Sequence, residues 1–127
     1  MTNPKGLQVL PSNHSVKETI DRLQANLQHN GITIYARIDQ QAEVAKAGQS
    51  IPPLEFLMFG NPKAGGPVMA AHPEAAIDLP LKVIAWEDSA QKVWVAYNEA
   101  QYLQDRFGLA QELTVALNIG PVVAKSV

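Results

Sequence analysis

The run from Ser15 to Ile38 constrains this chain more than any other, because its hydrophobic period changes once, at a marked point. Val16, Ile20, Leu23 and Leu27 recur at three- and four-residue spacing and so share one face of a helix. Ser15 with Glu18 three positions on forms a capping box at its start, and Asn30-Gly31 supplies a left-handed stop. The opposite face carries Lys17 with Asp21 and Glu18 with Arg22, each pair four residues apart. Beyond the glycine the period becomes two. Ile32, Ile34, Ala36 and Ile38 are expected to point inward and Thr33, Tyr35 and Arg37 outward. A helix with one apolar stripe feeding directly into a half-buried strand must dock on a sheet.

The other segments fit that frame. Leu7 to Leu10, ahead of Pro11, reads as a short strand near a sheet edge. Asp39 can cap a short alanine-rich helix, Gln40 to Ala47, that Gly48 ends. The run Leu54 to Phe59 is too apolar for an exposed strand and belongs near the sheet centre. Val68 to Ile77, interrupted at Pro73, suggests two short helical pieces with His72 at their junction. Leu81 to Glu87 and Lys92 to Tyr97 form an expected antiparallel hairpin whose rings, Trp86, Trp94 and Tyr97, can meet across the pair. Glu99 to Phe107 reads as a helix capped by Asn98, and a last helix from about Gln111 runs until Gly120-Pro121 interrupts it.

Strands and helices in this order, without strict alternation, predict an α+β fold: a mostly antiparallel sheet of about five strands with helices packed on one face. The 127 residues suit a single domain over residues 1–127. A sheet covered on one side needs cover on the other, and a second copy of the chain is the simplest cover, so a homodimer is expected.

Bulk properties narrow the function classes. With 46% apolar and 17% charged residues the chain has the composition of a globular protein. Ten basic and twelve acidic residues with no basic run leave little basis for gripping nucleic acid. No cysteine is present, which removes thiolate nucleophiles, disulfides and zinc–thiolate centres. No segment approaches the roughly 20 apolar residues of a membrane span, and a cytoplasmic protein without membrane contact is the expectation.

The segments Gly31 to Asp39, Ala45 with Gly48, Phe59-Gly60-Asn61-Pro62-Lys63, Asp78 to Val83 and Val93 to Asn98 together resemble the bacterial and archaeal family known as domain of unknown function 302. The resemblance runs from about Val9 to Leu113. It implies a compact α+β domain that tends to associate as a dimer, and it implies no established activity. An uninterrupted final helix would be the family pattern, from which Gly120-Pro121 departs.

The stretch from Phe59 to Pro67 holds the candidate chemistry. Gly60, Asn61, Gly65 and Gly66 can bring backbone N–H groups toward one point, with Lys63 as a point charge, and so form a site for a small polar or anionic ligand. The same residues can equally be a sharp turn from a buried strand into a helix. His72 lies downstream and can serve the site as ligand contact, or as acid or base if the protein is an enzyme. Arg37 can bind a ligand carboxylate or pair with Asp39, Glu55, Glu87 or Asp88. No serine sits in a nucleophile elbow, no histidine has a partner at metal-ligand spacing, and neither a catalytic residue nor a cofactor is assigned. Three readings stay open: a small-ligand binding domain, an enzyme using His72, and a protein-interaction module.

Overall fold

The computed structural model describes residues 3–127. Five antiparallel strands form one sheet in the order β1-β5-β4-β3-β2, with β1 at Leu7–Ser12, β2 at Thr33–Asp39, β3 at Leu54–Gly60, β4 at Leu81–Glu87 and β5 at Val93–Asn98. The α+β architecture expected from the pattern of elements is therefore present, with β3 one strand from the centre.

Helix α1 (Val16–His29) begins as its sequence dictates: Ser15 Oγ accepts from the Glu18 N–H at 3.1 Å. It ends at Asn30 and Gly31, the latter at φ +74°, where a β-carbon would be strained. Its stripe of Val16, Ile20, Leu23 and Leu27 is buried against Leu57 and Phe59 of β3, Val83 and Ala85 of β4, and Val93 and Val95 of β5. The last helix, α6 (Gly120–Ser126), lies beside α1 and adds Val123 to this core. Arg22 Nε donates to the Ser126 carbonyl at 3.1 Å and Asn26 Nδ2 to Ser126 Oγ at 2.8 Å. Gly120-Pro121 thus starts a helix where an interruption was expected, because proline at the first helical positions gives up no intrahelical hydrogen bond.

Helix α2 (Gln40–Lys46) is capped by Asp39, whose Oδ1 accepts from Ala42 N–H at 2.9 Å. Helix α3 spans Pro62–Ala71, a 3-10 turn spans Pro73–Asp78, α4 spans Ala100–Phe107 and α5 spans Gln111–Val115. Glu99, with no side-chain bond to the helix, holds the cap position of α4 expected for Asn98, which remains in β5. These short segments gather Val68, Ala75, Leu103, Leu109 and Leu117 into a second, smaller apolar cluster.

Two sequence expectations fail at the level of side-chain direction. The pairing of β2 with β3 shifts register between Ile34 and Ala36, leaving Tyr35 as a one-residue bulge. Ile34 and Arg37 stand opposite Phe59 and Leu57 on the α1 side, whereas Ala36 and Ile38 stand opposite Met58 and Phe56 on the other face. The bulge reverses the alternation, so Arg37 points toward α1 and not outward. In the hairpin, Trp86 faces Trp94 on one side of the sheet and Tyr97 faces Val83 on the other, so the three rings do not share a face.

Candidate functional site

Phe59 and Gly60 end β3, and Asn61 turns the chain into α3 with an extended backbone. Asn61 Oδ1 accepts from Lys63 N–H at 3.0 Å, and the Asn61 carbonyl accepts from Ala64 and Gly65 N–H at 2.9 and 2.8 Å. Pro62 has no N–H. Of the N–H groups expected to cradle an anion, that of Gly65 is consequently taken up by Asn61, as are those of Lys63 and Ala64, and Pro62 to Gly66 are the first turns of a helix, not a loop. The pattern Asn-Pro, a cap followed by the residue best suited to the first helical position, is a helix-start signal already present in the sequence.

The same turn forms one wall of a half-open cavity of about 360 Å³. Its floor is apolar, with Phe59, Ile32 and Leu81 from the sheet end, Leu79 and Leu117 from the smaller cluster, and Val122 from α6. Phe59 and Val122 belong to the larger apolar cluster and Leu79 and Leu117 to the smaller one, so the cavity lies on the seam between them. Tyr35, 53% exposed, and Met69, 37% exposed, also line it and leave large apolar surface at its mouth. Gly60 matters here because a β-carbon in its place would stand 3.3 Å from Tyr35 Cε2. A side chain at position 60 would push the bulged Tyr35 ring aside by a few tenths of an ångström. Asn30, Asn61 and Asn118 supply side-chain polar groups, and no charged side chain lines the cavity.

Of the residues singled out from sequence, Gly60, Asn61 and Gly65 line this cavity, and Lys63, Gly66, His72 and Arg37 do not. Lys63 is exposed on the outer side of α3. His72 ends α3, where its N–H donates to the Val68 carbonyl at 2.8 Å, and its Nδ1 lies 3.5 Å from Glu74 Oε1. Arg37 is a tie between β2, α1 and β3: its guanidinium is 2.7 Å from Asp21 Oδ1, 3.2 Å from Gln24 Oε1 and 3.4 Å from Glu55 Oε2. Glu55 is 6% exposed, and the nearby guanidinium offsets the cost of burying its carboxylate. Asp39 is not among the partners of Arg37. The residues that sequence reasoning missed, Ile32, Tyr35, Leu81 and Asn118, come from three separate segments, and no local spacing links those segments.

A second depression, about 530 Å³, is shallower and wetter, with Gln8, Gln101, Gln104 and Gln111 around Tyr97 and Glu99. Gln8 Nε2 donates to Glu99 Oε1 at 2.9 Å. Burial first, and the Glu99 charge second, raise the Tyr97 hydroxyl above the usual tyrosine value, so it stays neutral. Its walls are polar and open to solvent, which leaves the apolar cavity as the better enclosed of the two.

The chain is similar to two proteins named "Fluoride-specific ion channel FluC 1", from Brucella suis and Brucella abortus. Each is 38% identical over 112 residues that make up 88% of this chain. The chain spans 44% and 42% of their respective lengths. Its fold is similar to that in the crystal structure of an uncharacterized conserved DUF302 protein from Bacillus stearothermophilus. The TM-score is 0.79 at 17% identity, with 97% of this chain and 96% of the other covered. Residues 8–123 match the family described as Domain of unknown function DUF302, and on that match, over nearly its whole length, the chain belongs to this family.

Proposed function

We propose that this domain binds a small, largely apolar molecule in the cavity at the Gly60-Asn61-Pro62 turn. The observation that carries the reading is the cavity itself, about 360 Å³ of apolar, half-enclosed space at one end of a rigid sheet. A polar or anionic ligand centred on Lys63 has less support, because Lys63 lies outside the lining and the N–H groups of the turn bond to Asn61. An enzymatic reading through His72 has the same weakness, since His72 is absent from the lining and sits beside Glu74. The test is a fragment library followed by amide chemical shifts. Hits that move Ile32, Leu81 and Val122, and that are lost when Ala64→Trp fills the cavity, support the reading. Hits that map to the Gln101–Gln111 depression sink it.

We further propose that the domain works as a homodimer, joined through the sheet face opposite α1. That face carries Phe56, Met58, Ile84, Trp86, Trp94 and Ala96. Five strands about 4.8 Å apart, each contributing about 20 Å of length, give roughly 500 Å² in projection. Side-chain relief brings such a patch near the roughly 800 Å² per partner of a stable interface. Sedimentation at micromolar concentration tests this: a monomeric wild type, or an Ile84→Lys variant that stays dimeric, counts against it. No helix among the described residues is long and apolar enough to cross a membrane, and ion conduction forms no part of the proposal. The role assigned to this chain is ligand binding in the cytoplasm, and the same role is proposed for the 112 residues shared with the longer relatives.

A further inference from the structure

Two polar side chains of the cavity are oriented by the starts of helices: Asn61 caps α3, and Asn118 lies just ahead of α6. Asn61 Oδ1 accepts from Lys63 N–H and Asn118 Oδ1 accepts from Gly120 N–H, both at 3.0 Å. A backbone N–H can be met only by the oxygen of a carboxamide, so each side chain is locked with its oxygen toward its own helix and its Nδ2 directed away from it. Turning the Asn61 amide over would forfeit a cap worth about 1 kcal/mol, and turning the Asn118 amide over would lose its bond from Gly120 N–H. Neither Nδ2 group donates to another group among the described residues. The cavity is therefore lined by two asparagines from different segments whose Nδ2 groups are free to donate, around a floor of Phe59, Leu81 and Leu117, with no charged side chain in its lining among the described residues.

Resting on the reading of this cavity as a binding site, we infer that its ligand is an uncharged apolar molecule bearing a carbonyl oxygen, which accepts from Asn61 Nδ2 and Asn118 Nδ2. A protonated amine brings donors to these two donors, finds a single neutral side-chain acceptor in Asn30 Oδ1, and has no carboxylate among the described lining residues to offset its lost hydration. A carboxylate can accept from both amides, but it loses hydration in an apolar site that holds no compensating positive charge. An uncharged carbonyl meets both donors at the lowest desolvation cost.

Three probes with the same apolar tail test this: 2-heptanone, heptanoate and heptylamine, titrated into the full chain while amide and side-chain carboxamide signals are followed. Asn61→Asp and Asn118→Asp are the informative variants, because aspartate keeps the oxygen that accepts from the backbone and replaces the donor by an anionic acceptor. The expected result is that 2-heptanone shifts the Nδ2 signals of both asparagines and binds about tenfold more tightly than heptylamine, with each aspartate variant costing about tenfold in 2-heptanone affinity. Equal binding of 2-heptanone and heptylamine, unchanged affinity in both aspartate variants, or tighter binding of heptanoate would overturn the inference. If those outcomes came with shifts at Ile32, Leu81 and Val122, the cavity would stand as a binding site and only its ligand class would fall. If none of the probes moved those three residues, the binding site would fall with it.

Discussion

The larger apolar cluster is organised by one fourteen-residue helix lying on a sheet, whereas the smaller is assembled from short segments that change direction at Pro73, Gly108 and Asn118. In the first, a single stripe of side chains at helical spacing meets strand residues at fixed register, and the two surfaces interlock over their whole length. In the second, each segment contributes one or two side chains, such as Val68, Leu103 or Leu117, and none has a continuous face. Close packing follows from long regular surfaces. Where the short segments meet the long ones, the fit is incomplete, and the cavity lies along that line. Stability and binding thus draw on different parts of one small fold.

The same deletion in the two clusters gives the sharpest test of that contrast. Leu23 and Leu103 are both essentially buried. Leu23→Ala should cost about 3–5 kcal/mol in denaturant unfolding and Leu103→Ala about 2–3, since a loosely built cluster relaxes more fully around a lost side chain. Equal losses would mean that the two clusters behave as one core. Caps come next. Ser15→Ala at the start of α1 and Asn61→Ala at the start of α3 should each cost about 1 kcal/mol, while Asn61→Asp should stay close to wild type. A large loss in Asn61→Asp would show that the carboxamide nitrogen has a structural task. A gain is expected at Gly65, where a β-carbon would meet only Met69 Cε at an ordinary 3.7 Å: Gly65→Ala should raise the unfolding free energy by about 0.5–1 kcal/mol by removing glycine from a helix interior. A comparable gain is not expected in α1, whose sequence has no glycine.

The smallest effect concerns Asp88 in the β4–β5 hairpin. Its carboxylate accepts from Trp94 Nε1 at 2.8 Å and from the backbone N–H groups of Lys92 and Ala90, each at 2.9 Å. These bonds, the Trp94 one foremost, lower its pKa below the ordinary 3.8. A depressed folded-state value means that the contribution is fully present above the unfolded value and is lost as pH falls below 3.8 through the folded one. Asp88→Asn should therefore flatten the acid limb of the stability profile and leave the neutral region nearly unchanged, with Trp94 fluorescence as the readout. An acid limb of unchanged slope would place the acid sensitivity elsewhere.

How much of this was legible follows the same division. The start, stop and buried stripe of α1 were written in Ser15, Gly31 and the spacing of Val16, Ile20, Leu23 and Leu27, because one helix settles these locally. The central placement of Leu54 to Phe59 followed from its lack of a polar face. The direction of Arg37 was not legible, because a bulge depends on how two strands pair, and neither strand alone records it. The Phe59 to Pro67 stretch marked the right end of the sheet, and of its two readings the turn from a buried strand into a helix is the one the structure has, started by Asn61-Pro62, while the anion cradle is not formed. The cavity could not be read at all. Asn61 and Asn118 are brought to one cavity only by the relative placement of α3 and α6, which distant packing decides.

The bulge at Tyr35 has a consequence for chain length. Ile34 already faces Phe59 and Ala36 already faces Met58, two neighbours on β3, so β2 holds one residue more than its ladder uses. Deleting Tyr35 would join Ile34 to Ala36 in a continuous ladder and leave every other side chain of the strand on its present face, the grip of Arg37 on Asp21 and Glu55 included. Removal of any other residue of β2 would displace its remaining side chains instead. Position 35 is the one place in this strand where a relative can be shorter by a residue without repacking, and such a relative would lack the ring at the cavity mouth.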